Sequence, residues 1–192
     1  SGPRPRAPTV SVGTWNTSSI TPYPDRASIA RHTAMSASLV KLSPQTDFVC
    51  LQATNCNEFE GSTNSGVLDR MVPGGKAYYS NLVRHKAGVA IIVNKSLLRD
   101  HTIEVVPLSK ALKGYVLGLV VTPTDTALPP FSVFCIYLDS GPVSSRTSQL
   151  EELTKVKTTA YSYFAGDWNF TLDAEDSSSA EVKNTTPFLK AW

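Results

Sequence analysis

Apolar and polar positions along this chain group into short segments of changing period. Val10 to Trp15 reads as a β-type run that ends in the polar stretch Asn16-Thr17-Ser18-Ser19, a strand followed by a loop. After Pro22 and Pro24, Asp25 suits the N-cap of a helix. Ile29, Ala30, Met35, Ala37, Leu39, Val40 and Leu42 then approximate a 3.6-residue period that stops near Ser43-Pro44. Asp47 to Leu51 is a compact apolar run of strand length, so the opening third predicts strand, helix, strand in one βαβ-like unit.

From Glu58 to Gly66 the residues are polar and small, and Pro73-Gly74-Gly75 marks a turn. Strands are predicted at Ala77-Tyr78-Tyr79, Gly88 to Val93, Ile103 to Val106, Tyr115 to Val121 and Phe131 to Tyr137. They are separated by breakers such as Asn94-Lys95 and Pro129-Pro130, the pattern of a β-meander. Ser144 to Thr159 places Leu150, Leu153 and Val156 three residues apart, with Glu151 and Glu152 ahead of Lys155 and Lys157, which predicts a second amphipathic helix. Tyr161 to Ala165 is a further strand. Beyond Asn169 the chain is acidic and serine-rich through Ser179, and Pro187 to Trp192 reads as the start of another element.

Composition adds class and setting. With 192 residues, 41% hydrophobic and 18% charged, the chain is expected to form one globular domain. A net charge of +2 announces no overall field for a polyanion and excludes none. Cys50, Cys56 and Cys135 are odd in number and form no C-x-x-C, so neither a disulfide framework nor a zinc site is indicated, and a reducing intracellular setting, nuclear before cytoplasmic, is expected. No apolar stretch approaches the ~18 residues of a membrane span. Residues 1–9 are read as a flexible tail, with Ser1-Gly2-Pro3 resembling a tag remnant, and residues 10–192 as one domain.

Polar residues that can act together fall at strand ends: Asn16, Gln52, Tyr137, Asp167 and Asn169. Gly166-Asp167-Trp168-Asn169 is the sharpest of these. The glycine lets the backbone turn, and D-x-N puts both side chains on one side of an extended segment, as a hard divalent ion or an attacking water requires. The competing reading is that Asp and Asn only shape a turn.

Taken in order, Thr14-Trp15-Asn16, Asp47-Phe48-Val49-Cys50-Leu51-Gln52-Ala53-Thr54, Gly88-Val89-Ala90-Ile91-Ile92-Val93, Phe134-Cys135-Ile136-Tyr137 and Ala165-Gly166-Asp167-Trp168-Asn169 resemble the exonuclease–endonuclease–phosphatase family. Within it they look most like the endonuclease domains of LINE-type (non-LTR) retrotransposons, which resemble apurinic/apyrimidinic endonucleases. The resemblance runs from about Val10 to Asn169. It implies a four-layered α/β sandwich with two central mixed β-sheets and hydrolysis of DNA phosphodiesters with Mg²⁺ or Mn²⁺. Carried over by residue, Asn16 and Asp167 would lie at the metal, Tyr137 would hydrogen-bond a phosphate oxygen, Asp167 would orient or deprotonate the attacking water, and Asn169 would stabilise developing charge.

Two departures change the expectation. Ala53 stands where the family has its metal-binding Glu, and an alanine methyl offers an ion no oxygen. No Ser-Asp-His-like segment occurs before Trp192, so the domain is expected to be C-terminally incomplete, with its fold completed by a further chain or segment. His32, His85 and His101 fall elsewhere in the order. Since one electrostatic donor alone is worth ~10²–10³ in rate, this polypeptide is expected to cleave DNA poorly or not at all. The alternative is an endonuclease-like fold kept for nucleic-acid binding or protein interaction, and a phosphatase of the same superfamily is a third reading. Arg84, Lys86 and Lys95 are the residues expected to track a phosphate backbone, with Arg99, Lys110 and Lys113 as lesser candidates.

Overall fold

The computed structural model describes residues 9–20, 26–55, 68, 72, 74–82 and 86–170. Strand β1 (Val12–Asn16) pairs in parallel with β2 (Phe48–Gln52), and helix α1 (Arg26–Leu42) makes the connection. β3 (Lys76–Ser80) and β4 (Val89–Val93) complete the first sheet in the order β1-β2-β4-β3. The predicted βαβ unit is thus present, while its expected cap, Asp25, lies outside the described residues.

The expected continuous meander is broken into two sheets. Asn94, read as a plain breaker, instead caps a short helix, α2 (Lys95–Asp100), by accepting a hydrogen bond from Ser96 N. That turn carries the chain across to the second sheet. There β5 (His101–Val105), β6 (Val116–Pro123) and β7 (Phe131–Tyr137) run antiparallel, and β8 (Tyr161–Asp167) returns in parallel with β7 after α3 (Val143–Leu153). The second helix ends six residues before the expected Thr159. Thr154 turns its hydroxyl onto Glu151 O, and Val156 N closes back on Leu153 O, so the ladder stops.

Alternation on the central strands builds the layers. Phe48 and Cys50 of β2 face Phe131, Val133 and Cys135 of β7 between the sheets. Val49 and Leu51 face Met35 and Leu39 of α1, and Phe134 and Ile136 face Leu150 and Leu153 of α3. Strands buried on both faces need apolar residues at successive positions, which is why β2, β4 and β7 read as largely apolar runs, broken only by Gln52 and Ser132. The result is helix, sheet, sheet, helix: the expected four-layered α/β sandwich of two mixed sheets.

Candidate nucleic-acid phosphate site

The pleat places the candidate residues. On β1, Val12 packs between the sheets, so Thr14 and Asn16 share its face. On β8, Tyr161, Tyr163 and Ala165 pack between the sheets, and Asp167 shares theirs. Gln52 follows Cys50 inward, and Tyr137 follows Cys135. All four inward positions fall at C-terminal strand ends, at one end of the sandwich, because β1 is parallel to β2 and β7 to β8.

There Asn16 Nδ2 donates to Asp167 Oδ2 at 2.9 Å, a bond between the two sheets. Asn169 N donates to the other oxygen, Asp167 Oδ1, at 3.0 Å, and Asn16 Oδ1 accepts from Ser18 N at 3.1 Å. Asn169 lies past β8 with a left-handed backbone, φ 51°, so Asp167-Trp168-Asn169 is a turn closed on the Asp167 carboxylate and not the expected extended segment; Asn169 Nδ2 reaches Leu138 O. The structure therefore brings Asn16, Tyr137, Asp167 and Asn169 together. Burial, then the Asp167 and Asp139 carboxylates, push the Tyr137 phenol above its ordinary range, while hydrogen bonds with Ser140 and Asn169 act the other way. Its neighbour Tyr115, whose carbonyl accepts from Tyr137 N at 2.8 Å, is pushed up by burial, then by Asp139 and Tyr137. Both phenols keep their protons and remain donors at neutral pH.

The end of β2 forms the floor. Gln52 is buried, with Nε2 donating to Cys50 O at 3.0 Å and to Cys135 Sγ at 3.3 Å, and Oε1 accepting from Thr14 Oγ1 at 3.2 Å. It is a structural tie between the sheets. The Cys50 thiol, hydrogen-bonded to Cys135 and buried, is pushed well above the ordinary thiol range. Ala53 is buried with a left-handed φ of 52°, and its carbonyl accepts from Thr17 Oγ1.

A divalent ion takes six or more oxygens, of which the protein commonly gives one or two carboxylates. Asp167 is the one carboxylate among the mapped residues. Both of its oxygens already accept N–H donors, and the methyl of Ala53 supplies none. Among the described residues no three His, Cys, Asp or Glu side chains converge on an ion. This donor set does not fit a resident Mg²⁺ or Mn²⁺.

The basic residues do not act as one group. Lys86 is exposed on the segment whose Ala87 O and Gly88 N bind Asn55 and Gly114, at the site end of the sandwich. Lys95 follows β4 at the opposite end, where Asn94 N binds Asp47 O, and Arg99 lies on the same helix. The sequence grouping fails because β4 carries the chain from one pole to the other between them. Arg84, like His85, lies outside the described residues, as does the side chain of His32. His101 binds Leu97 O through Nδ1 and packs edge-on against Phe131, away from the site. Trp15 and Trp168, expected from their places beside Asn16 and Asp167 to wall the site, pack instead into the outer layers, each one residue out of phase with the inward side chains. Tyr78 packs inward and Tyr79 outward, the two faces of β3.

Sequence reading missed the loop after β7, where Ser140 hydrogen-bonds Tyr137 and the Asp139 carboxylate acts on it electrostatically, and the Arg146 and Gln149 side chains that hold that loop. Its one available signal was position, directly after a site strand.

No family model and no curated protein matches the chain. Solved structures do match. An AP endonuclease, LMAP, from Leishmania major aligns with TM-score 0.65 at 17% identity, over 90% of this chain and 59% of that one. The catalytic domain of Xenopus laevis APE2 aligns with TM-score 0.58 at 15% identity, over 94% and 64%. ANGEL2, a 2′,3′-cyclic phosphatase, aligns with TM-score 0.57 at 16% identity, over 86% and 54%. The chain thus spans between about half and two thirds of these solved chains. The fold is that of the exonuclease–endonuclease–phosphatase proteins, a nuclease-like architecture that phosphatases share.

Proposed function

We propose that this chain is the endonuclease-type domain of a LINE-like retroelement protein, built to hold a DNA phosphodiester at its strand ends and impaired as a hydrolase in this form. The observation that carries the reading is the inter-sheet bond of Asn16 to Asp167, with Asn169 on the other Asp167 oxygen and Tyr137 beside them. Four polar residues at or just past the ends of three strands, β1, β7 and β8, meet at one place. The arrangement supplies neutral donors from Tyr137, Asn16 and Asn169 to phosphate oxygens, and one carboxylate to orient water.

Impairment is supported by the same geometry. Of the four residues Asp167 alone carries a negative charge, and position 53 carries no second carboxylate with which to share a cation. A domain in this state binds nucleic acid through its surface cations, Lys86 at the site end among them, rather than through an ion at the site. This makes the non-catalytic binding role the reading for the chain as it stands, and DNA cleavage the reading for its architecture.

Plasmid nicking in Mg²⁺ and in Mn²⁺ tests both, comparing this chain with Ala53→Glu. Nicking by the variant alone supports an endonuclease silenced at position 53. No nicking by either, with DNA retained, supports the binding role, and no DNA binding by either sinks the proposal.

A further inference from the structure

Helix α3 does more than cover the second sheet. Its first turns meet the 138–142 loop, which leaves β7 directly after Tyr137. Arg146 Nη1 donates to the carbonyls of Asp139 at 3.0 Å and Gly141 at 2.7 Å. Three residues on, Gln149 Oε1 accepts from Asp139 N at 2.9 Å, and Gln149 is buried. Leu138 N donates to Asp167 O at 3.0 Å, and Leu138 O accepts from Asn169 Nδ2. All four backbone polar groups of Leu138 and Asp139 are therefore held, three of them by side chains. Asp139 Oδ1 in turn accepts from Gly141 N at 3.0 Å.

Arg146 is costly where it stands. It is half-buried beside the first turn of α3, the positive end of the helix dipole, and that turn holds no acidic residue. Among the described residues the one ion pair is Lys155 with Glu152, so Arg146 has carbonyl partners only. Helix stability does not call for a cation there; the loop does.

We propose that Arg146, with Gln149, is a positioning residue of the site: it fixes the 138–142 loop, and through Ser140, hydrogen-bonded to Tyr137, it fixes the phenol relative to Asp167 and Asn169. What this positioning serves rests on the proposed function. The positioning itself does not.

Amide hydrogen exchange and NMR titration of the tyrosines test it on this chain. In Arg146→Gln the amides of Asp139 and Gly141 exchange about tenfold faster, the loss of roughly one hydrogen bond. The Tyr115 titration midpoint moves down toward its ordinary value, because the Asp139 carboxylate is no longer held beside it. Arg146→Lys, which keeps the charge, falls between, and Glu151→Gln on the same helix changes neither readout. Unchanged exchange at Asp139 and Gly141, or faster exchange along all of α3 with the Tyr115 midpoint unmoved, overturns the proposal. If Arg146→Gln does not fold, Arg146→Lys is judged by the same two readouts. Absence of DNA binding throughout would sink the proposed function and leave this result standing.

Discussion

Asn16 and Asp167 lie 151 residues apart in the chain and are joined by a 2.9 Å hydrogen bond that links the end of β1 to the end of β8. The bond crosses from one sheet to the other, so it reports the alignment of the sandwich as well as the site. Asn16→Ala removes it from a partly solvated place, and urea unfolding should show a loss of about 0.5–1.5 kcal/mol. A loss above ~3 kcal/mol would mean that the pair is a structural keystone instead.

The backbone before Asp167 is set by Gly166, whose φ of +146° is a region open to glycine. A Cβ there would run into the Ile136 carbonyl oxygen on the neighbouring strand β7. Gly166→Ala should therefore cost more than ~3 kcal/mol, combining strain with overpacking, or prevent folding. Thermal unfolding measures it, and a change of only a degree or two would show that β8 can move away from β7.

How much of this was legible beforehand depended on what each segment asked of its residues. β2 and β7 were clear because strands buried on both faces are mostly apolar, with buried polar residues such as Gln52 and Ser132 held by hydrogen bonds. Asn16 and Asp167 could be singled out as candidates because each is a polar residue at the end of a half-buried strand. The short helix after β4 was missed, since Asn94 serves equally as a turn residue and as a cap, and only the change of sheets decides between them. The phase of Trp15 and Trp168 was lost for a different reason: each is adjacent in sequence to a site residue, yet adjacency in a strand means opposite faces. Arg146 and Gln149 carried no local signal, because their partners are backbone carbonyl and amide groups that any sequence would offer.

Ala53 already occupies a left-handed backbone with φ 52°, so a glutamate there adds little backbone strain. Position 53 is buried, so the glutamate carboxylate would stand there without a counterion, at a cost of about 3–5 kcal/mol. Ala53→Glu should therefore melt below the parent chain in EDTA. Mg²⁺ should raise its melting temperature, by up to ~2.7 kcal/mol of stabilisation at a hundredfold excess over Kd, and leave that of the parent unchanged. Equal responses of the two chains to Mg²⁺ would place ion binding elsewhere.

Alkaline pH tests the phenols. Tyr115 and Tyr137 are both raised above the ordinary value, near 10, that holds in the unfolded chain. As pH rises past that value the unfolded state releases these protons first, so the folded state binds more protons and stability falls with pH. The contribution is complete below the unfolded value and is lost as pH climbs through the folded ones. Tyr137→Phe removes one such group, and its stability should decline less steeply than the parent's above pH ~10. Denaturant midpoints taken at intervals from neutral to alkaline pH measure the slopes. Parallel curves for the two chains would mean that Tyr137 ionises as freely in the folded protein as outside it, and that Asp139 and Asp167 do not act on the phenol.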